Sequence, residues 1–195
     1  MTVAAENRSA SEGALDRFDP TLDHFTRLGL ERDWKIDRDA LESGYLERSR
    51  RYHPDRHVGA DSATRRAAVE HSSALNQAYR TLRDPVARAE YLVKLGGIDL
   101  DSSDPHSGAP HPDQAFLIEM IERRERLEPI IELRDAGQDA LDELHDEVED
   151  ELEEVFDGAV AALARNDIQA AAAALVHGRY LRRFIDEIDR AIEPT

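Results

Sequence analysis

The chain of 195 residues contains no cysteine, two lysines and one tryptophan, and aromatic residues make up only 6% of it. Without cysteine it can form no disulfide, thiol nucleophile or thiolate metal site. It has no run of 18 or more apolar residues, which a membrane-spanning helix requires. The N-terminus lacks the basic and then apolar pattern of a secretory signal, and it also lacks the character of an organelle transit peptide. These features favour a protein of the reducing cytoplasm.

Basic residues are also scarce, and the net charge is −17. The imbalance lies in the second half of the chain, since residues 22–97 have a net charge of +2 and residues 98–195 have −17. An acidic region of this size repels nucleic acids and anionic lipids. We therefore expect neither a nucleic-acid partner nor a membrane partner.

The pattern of apolar residues and helix breakers predicts an all-α protein, since no alternating strand pattern occurs. Residues 1–20 are polar and predict a disordered tail. A first folded unit spans 21–97 and ends at a pair of glycines, and residues 98–112 form a linker rich in Pro, Gly and Ser. The second unit, 113–195, reads as a three-helix bundle with helices at about 114–136, 138–164 and 168–192. In its first helix Phe116, Met120, Leu127 and Ile131 form the expected core stripe.

The tripeptide His53-Pro54-Asp55 is the most informative motif of the first unit. Proline ends the helical stretch before it, because proline has no N–H to donate and disfavours helical geometry in the preceding residue. A second helical stretch follows, so the tripeptide lies at the turn of a helical hairpin. Arginines on both sides of it form a small basic patch, which favours an acidic partner surface. A rigid corner that presents a ring and a carboxylate suits docking on another protein.

Residues 22–95 resemble a J domain. Leu22–Leu30 is similar to its short first helix, Leu41–Tyr52 and Ala63–Leu82 to the next two, and Asp84–Tyr91 to the segment that opens the fourth. The resemblance implies a co-chaperone that stimulates ATP hydrolysis by a DnaK-type chaperone and performs no bond chemistry itself. It implies that the chaperone-binding residues are His53, Pro54, Asp55, Tyr45, Arg50, Arg51 and Arg56. Glu42, Leu46, Glu47 and Arg48 depart from the usual pattern of helix two and suggest a specialised chaperone.

The chain as a whole, about residues 22–193, resembles the HscB-type iron–sulfur co-chaperones. The Gly/Phe-rich and Cys-rich regions of a general DnaJ are absent, and Ala115–Glu128 is similar to an HscB segment. The resemblance implies an HscA-like chaperone and an IscU-like scaffold protein as partners, with no cofactor and no bound metal. Pro129 departs from the family, which usually has an acidic residue there, and we expect it to kink the helix.

A surface patch on the first helix of the second unit is predicted from geometry, because several apolar residues lie off its core stripe beside carboxylates. A broad core face is the simpler alternative. By resemblance, the scaffold-binding residues are Leu117, Ile118, Ile121, Glu122, Glu125 and Tyr180.

Two other hypotheses for function remain open at this stage. A J-domain protein could serve a different client through the acidic bundle. A hydrolase could use His53 and Asp55, and this would require a buried, paired histidine with a nearby nucleophile or metal.

Overall fold

The computed structural model describes residues 15–102 and 108–192, except for the side chain of residue 135. All regular structure in these ranges is helical, as predicted. The helices are α1 (His24–Leu28), α2 (Arg38–Tyr52), α3 (Ser62–Arg83), α4 (Pro85–Leu95), α5 (Gln114–Glu132), α6 (Gln138–Ala164) and α7 (Ile168–Ile192). Short 3-10 helices lie at Pro54–His57 and Arg134–Gly137. The chain separates into two compact units, of which the first ends at Arg88 and the second begins at Ala89.

Aspartate side chains fix the starts of the first three helices. Asp23 accepts a hydrogen bond from the backbone N–H of Thr26 at 2.8 Å, and Asp37 and Asp61 cap α2 and α3 in the same way. Such caps satisfy N–H groups that have no partner within the helix. Gly29 ends α1 at a φ of 75°, a left-handed conformation that glycine adopts without strain.

The first unit is built around an antiparallel hairpin of α2 and α3. Tyr45 of α2 stacks on Tyr79 of α3, and Tyr52 stacks on His71, so the residue numbers run in opposite directions. α2 buries only Leu41, so aromatic and polar contacts hold much of it against α3. The core of the hairpin consists of Phe25, Leu28, Leu41, Ala68, Leu75, Ala78 and Leu82.

The second unit contains the predicted bundle, in which α6 runs antiparallel to both other helices. Arg123 and Arg126 of α5 pair with Glu151 and Glu147 of α6, which shows the opposite directions of these two helices. Phe116 stacks on His177, and Arg124 pairs with Glu187, so α5 and α7 run parallel. The apolar core is formed by Met120, Leu127, Leu141, Leu144, Val148, Leu181, Phe184, Ile185 and Ile188.

The predicted core stripe of α5 is wrong at one position. Ile131 is 42% exposed, and Ile130 packs against the core instead. The inward-facing positions are Phe116, Met120, Arg123, Leu127 and Ile130, with alternating spacings of four and three. This is the heptad spacing, with one buried residue about every 3.5 positions. A helix has about 3.6 residues per turn, so the row of buried residues winds slowly around the helix surface. Arg123 lies at one of these buried positions. The sequence did not predict this, because a charged residue is normally expected at the surface.

The end of α5 also differs from the prediction. The helix ends at Glu132, four residues before its predicted end, and Arg134, the first residue of the second 3-10 helix, takes a left-handed φ of 51°. The backbone at Gly137 lies so close to α5 that an added Cβ would clash with the carbonyl oxygen of Ile130. The close approach therefore requires glycine at this position.

Segments expected to lie outside the folded units have contacts with them. Residues 1–14 of the predicted tail lie outside the described residues, but the ring of Phe18 contacts the ring of His71 and the guanidinium of Arg27. In the predicted linker Ile98 is 5% exposed, and Asp101 pairs with Arg179 at 2.9 Å. Each segment has one large apolar side chain that packs on a folded unit, Phe18 near the end of the tail and Ile98 at the start of the linker. The polar composition of the segments did not predict this packing.

Candidate protein-binding sites

The His-Pro-Asp corner lies where α2 ends and the short 3-10 helix begins. Pro54 occupies the first position of that helix, where its missing N–H has no consequence. The backbone N–H of Asp55 donates to Nδ1 of His53 at 3.3 Å. A neutral His53 then carries its proton on Nε2. This backbone hydrogen bond orients the ring.

Both polar side chains of the corner face solvent. The side chain of His53 is 53% exposed and that of Asp55 is 86% exposed, with 3.7 Å between Nδ1 and Oδ2. An exposed ring and carboxylate at a fixed spacing can accept and donate hydrogen bonds to another protein. The hydrolase hypothesis requires a buried pair, and this geometry does not provide it.

Aromatic packing beneath the corner holds it in place. His71 is only 7% exposed, and its ring lies 4.2 Å from that of Tyr52 and 5.3 Å from that of Phe18. Nε2 of His71 is 3.0 Å from the carbonyl oxygen of Asp16. The residue directly before His53 is therefore anchored to α3 and to the segment before α1. His71 looked like a scattered polar residue in the sequence, because only the fold brings these rings together.

The predicted arginines lie on both sides of the corner. Arg50, Arg51 and Arg56 are exposed, and Arg56 donates to the carbonyl oxygen of Arg50 at 3.4 Å. Arg51 pairs with Asp16 at 2.8 Å, an exposed contact of the kind that contributes little to stability. The structure thus brings three predicted cations next to His53, Pro54 and Asp55.

Tyr45, the remaining predicted chaperone-binding residue, contacts α3. Its ring stacks on Tyr79 with centroids 4.3 Å apart, and its hydroxyl donates to Oδ1 of Asn76 at 2.8 Å. These contacts join α2 to α3, and a role of Tyr45 in binding the chaperone stays a prediction.

A second candidate surface lies on α5. Leu117, Ile118 and Ile121 are exposed by 38%, 47% and 55%, although they are large apolar residues. Glu122 and Glu125 are exposed beside them. We call Leu117, Ile118, Ile121, Glu122 and Glu125 the α5 patch. Neighbouring exposed apolar residues with a polar border are typical of protein interaction sites.

Tyr180 of α7 joins the α5 patch through Phe116. The two rings meet edge to face at 5.9 Å, and Phe116 also stacks on His177 at 4.2 Å. Arg124 donates to both carboxylate oxygens of Glu187, at 3.0 and 2.9 Å, and this pairing raises the pKa of Arg124. A two-point contact of this kind fixes orientation. The patch therefore lies on a part of α5 that α7 holds firmly.

Three polar groups of the second unit were not singled out by their sequence pattern. Arg123 is buried between Glu119 and Glu151. Arg179 joins Glu90, Asp101 and the carbonyl oxygen of Leu100. His145, Asp146 and Glu149 form one group within the part of the chain that the structure describes, with potential ligand atoms within 4.8 Å of one another. The sequence did not reveal these groups, because their members are distant in sequence or lie among many other acidic residues.

The fold and the corner together define a class of protein. A His-Pro-Asp corner on an antiparallel helical hairpin, followed by a three-helix bundle, is the architecture of a J-domain protein with a C-terminal helical bundle. In the described ranges no helix has both the length and the apolar composition needed to cross a membrane.

Comparisons with known proteins identify the family. The DnaJ domain family matches residues 23–91, and the HSCB C-terminal oligomerisation domain family matches residues 112–189. The chain is 38% identical over 171 residues to a co-chaperone protein HscB homolog of Neisseria meningitidis, covering 87% of this chain and 98% of the relative. The chain belongs to the HscB family of iron–sulfur co-chaperones.

Solved structures agree with this assignment. The human co-chaperone HscB is 27% identical, with a TM-score of 0.77 over 100% of this chain and 95% of the human one. The chaperone HscB of Vibrio cholerae is 28% identical, with a TM-score of 0.70 over 87% of this chain and 96% of the other. The predicted all-α fold, a J domain followed by a helical bundle, is confirmed.

Proposed function

We propose that this co-chaperone couples an iron–sulfur scaffold protein to a DnaK-type chaperone. The J domain engages an HscA-like ATPase and stimulates its ATP hydrolysis, while the bundle holds an IscU-like scaffold. The observation that carries the proposal is the exposed His53–Asp55 pair on a corner anchored by the buried stack of Tyr52 and His71. A cytoplasmic location stays a prediction of the sequence.

The corner acts by binding and not by bond chemistry. A ligand shifts a conformational equilibrium only by the difference between its affinities for the two states. We infer that His53 and Asp55 bind more tightly to the hydrolysing state of the chaperone than to its resting state. Their fixed spacing limits the entropy lost on docking, because little of the corner has to be ordered at that moment.

The arginines contribute to encounter and orientation. The His-Pro-Asp corner has three exposed cations beside it, Arg50, Arg51 and Arg56. The rest of the first unit is nearly neutral. Exposed cations at the edge of an interface increase the association rate and its dependence on salt more than the final affinity. We therefore assign the main energetic role to His53 and Asp55.

The α5 patch is the proposed scaffold-binding surface. Leu117, Ile118 and Ile121 offer exposed apolar area at the centre, and Glu122 and Glu125 provide a polar border. A stable interface has this organisation, with an apolar centre and hydrated polar edges. Tyr180 extends it towards α7.

A steady-state ATPase assay tests the role of the corner. The chaperone's rate is measured with wild-type protein and with His53→Gln, which removes the imidazole but retains a polar side chain. We expect the wild type to increase the rate and His53→Gln to increase it very little. His111→Gln is the matched control, since His111 is exposed in the segment before α5. Equal stimulation by His53→Gln and wild type would refute the proposed role.

A binding assay tests the α5 patch independently. Leu117→Ala and Ile121→Ala are compared with Ile131→Ala and Leu133→Ala, which remove exposed apolar groups at the other end of α5. We expect only the first pair to weaken binding of an IscU-like scaffold. The expected loss is about tenfold for each patch residue, a typical effect for truncating a central interface residue.

The alternative of a different client gives a different result in the same two assays. The chaperone's ATPase would still respond to the wild-type protein and fail to respond to His53→Gln. The scaffold, however, would not bind measurably, and the α5 patch variants would change nothing. The two experiments therefore test the two parts of the proposal separately.

A further inference from the structure

The first unit contains a cleft of about 360 Å³ that the proposed function does not use. It lies where α2 begins, α3 ends and α4 begins, at the opposite end of the hairpin from the His-Pro-Asp corner. The lining residues are Arg38, Leu41, Glu42, Tyr79, Arg83 and Arg88. Three cations and one carboxylate thus face a single open space.

The three arginines that line the cleft are Arg38, Arg83 and Arg88. Among the residues that the structure describes, none of them forms an ion pair within 4.0 Å. Arg88 donates through Nη1 to the carbonyl oxygen of Leu82 at 2.7 Å, and its guanidinium lies 4.5 Å from the ring centre of Trp34. Its Nε is buried and has no hydrogen-bond acceptor there. A buried donor without an acceptor is uncommon in folded proteins and requires an explanation.

Stability alone does not account for this arrangement. Burial lowers the pKa of Arg88 and the positive charge of Arg38 lowers it further, whereas the negative charge of Asp84 offsets this only in part. Burial and the charge of Arg38 disfavour the charged form that Arg88 nevertheless keeps, since arginine does not lose its proton in proteins. An anion in the cleft would remove the repulsion between Arg38 and Arg88.

We propose that the cleft binds phosphate, either as the free ion or as the terminal group of a phosphate monoester. Three guanidinium groups and the carboxylate of Glu42 give the cleft a formal charge of +2, which matches the charge of a phosphate dianion. Guanidinium groups bind phosphate oxygens through paired N–H donors. Tyr79 closes one side of the cleft, with its ring stacked on Tyr45 and the guanidinium of Arg83 6.0 Å from its centre.

Calorimetric titration of the full chain tests the proposal. Inorganic phosphate is added at about pH 8, where it is mostly the dianion, and chloride is used to match the ionic strength. We expect saturable binding at one site, and about tenfold weaker binding in Arg38→Ala and in Arg83→Ala. Both arginines are exposed, so both variants should fold, as far-ultraviolet circular dichroism will verify.

Two further variants make the test specific. Arg80→Ala removes an exposed arginine one turn from Arg83 that does not line the cleft, and it should bind phosphate as the wild type does. Glu42→Gln removes the single lining carboxylate and should tighten binding several-fold. The proposal is overturned if phosphate gives no saturable signal, or if Arg80→Ala loses as much affinity as Arg83→Ala. It is also overturned if acetate binds as tightly as phosphate.

Titration with AMP distinguishes the two sources of phosphate. Binding of AMP at least as tight as that of phosphate assigns the cleft to a phosphate monoester. Binding of inorganic phosphate alone assigns it to the free ion. Either result upholds the phosphate site, and neither depends on the chaperone or scaffold proteins.

Discussion

Arg123 is a charged residue that is buried because two glutamates pair with it. Its side chain is 8% exposed and lies between Glu119, 2.6 Å away, and Glu151. Burial disfavours its charge, but hydrogen bonds to the two carboxylates outweigh this effect and raise the pKa of Arg123. The arginine thus occupies a core position of α5 that an apolar residue would normally fill.

Truncating Arg123 is predicted to destabilise the second unit. Arg123→Ala removes the buried stem and leaves Glu151 without its partner. We expect the free energy of unfolding to fall by about 2 kcal/mol, mainly through lost packing of the stem, because the side chains of Glu151 and Glu119 are 29% and 51% exposed. Arg126→Ala breaks an exposed pair with Glu147 and should cost less than about 1 kcal/mol. Urea denaturation followed by circular dichroism measures both, and equal losses would contradict the assignment of Arg123 to the core.

His24 should make the first unit sensitive to mild acid. Burial lowers the pKa of His24 from its ordinary value of 6.5, and the nearby charge of Arg27 lowers it further. The unfolded chain therefore binds a proton more readily than the folded chain. The contribution of His24 is complete above pH 6.5 and is lost as the pH falls below 6.5 towards the lowered value.

The fluorescence of Trp34, the single tryptophan, reports unfolding of the first unit. Urea denaturation at pH 7.5 and at pH 5.5 should show a smaller loss of stability in His24→Gln than in the wild type. An equal loss in both proteins would show that burial of His24 does not couple to folding.

At the scale of single elements, Pro129 weakens α5. The helix runs from Gln114 to Glu132, and proline in its last turns cannot donate a backbone hydrogen bond to the carbonyl of Glu125. We predict that Pro129→Ala stabilises the second unit by about 1–3 kcal/mol. Pro85→Ala is the control, because Pro85 occupies the first position of α4, where no intrahelical bond is lost. A lower melting temperature for Pro129→Ala than for the wild type would contradict this account.

The sequence predicts long, regular elements well, and local turns less well. α6 and α7 have the predicted bounds, because an apolar seam runs along α6 and a break at Asn166-Asp167 separates the two helices. α5 ends at Glu132, four residues before its predicted end. Arg134 is left-handed there, and no glycine or asparagine in the sequence marks that conformation.

The candidate sites, too, could be predicted only where local chain geometry determines them. The corner at His53 follows from local chain geometry, and so does the off-core position of Leu117 and Ile121. The inward orientation of Tyr45 depends on Asn76 and Tyr79, which lie on another helix. Contacts between distant residues of this kind leave no periodic signal, so the sequence alone could not separate a binding role from a packing role.

At the scale of the whole molecule, charge separates the two halves of the chain. Residues 22–97 have a net charge of +2, whereas residues 98–195 have −17. Like charges repel one another in the folded second unit, and salt screens this repulsion. The two units should therefore respond differently to ionic strength.

We predict that sodium chloride stabilises the second unit and has little effect on the first. Trp34 fluorescence follows the first unit, and circular dichroism at 222 nm follows mainly the longer helices of the second. Raising the salt from low concentration to about 0.2 M should increase the melting temperature seen by circular dichroism more than that seen by fluorescence. Equal shifts in both signals would contradict a role for the acidic second half.

The central claim is that one chain joins a chaperone-stimulating corner to a scaffold-binding patch. The most direct test measures the chaperone's ATPase rate with and without scaffold, for the wild type, His53→Gln and the double variant Leu117→Ala/Ile121→Ala. We predict that scaffold increases stimulation by the wild type, that His53→Gln abolishes stimulation in both conditions, and that the double variant loses only the increase due to scaffold. A scaffold-dependent increase of wild-type size in the double variant, or stimulation retained by His53→Gln, would contradict the account.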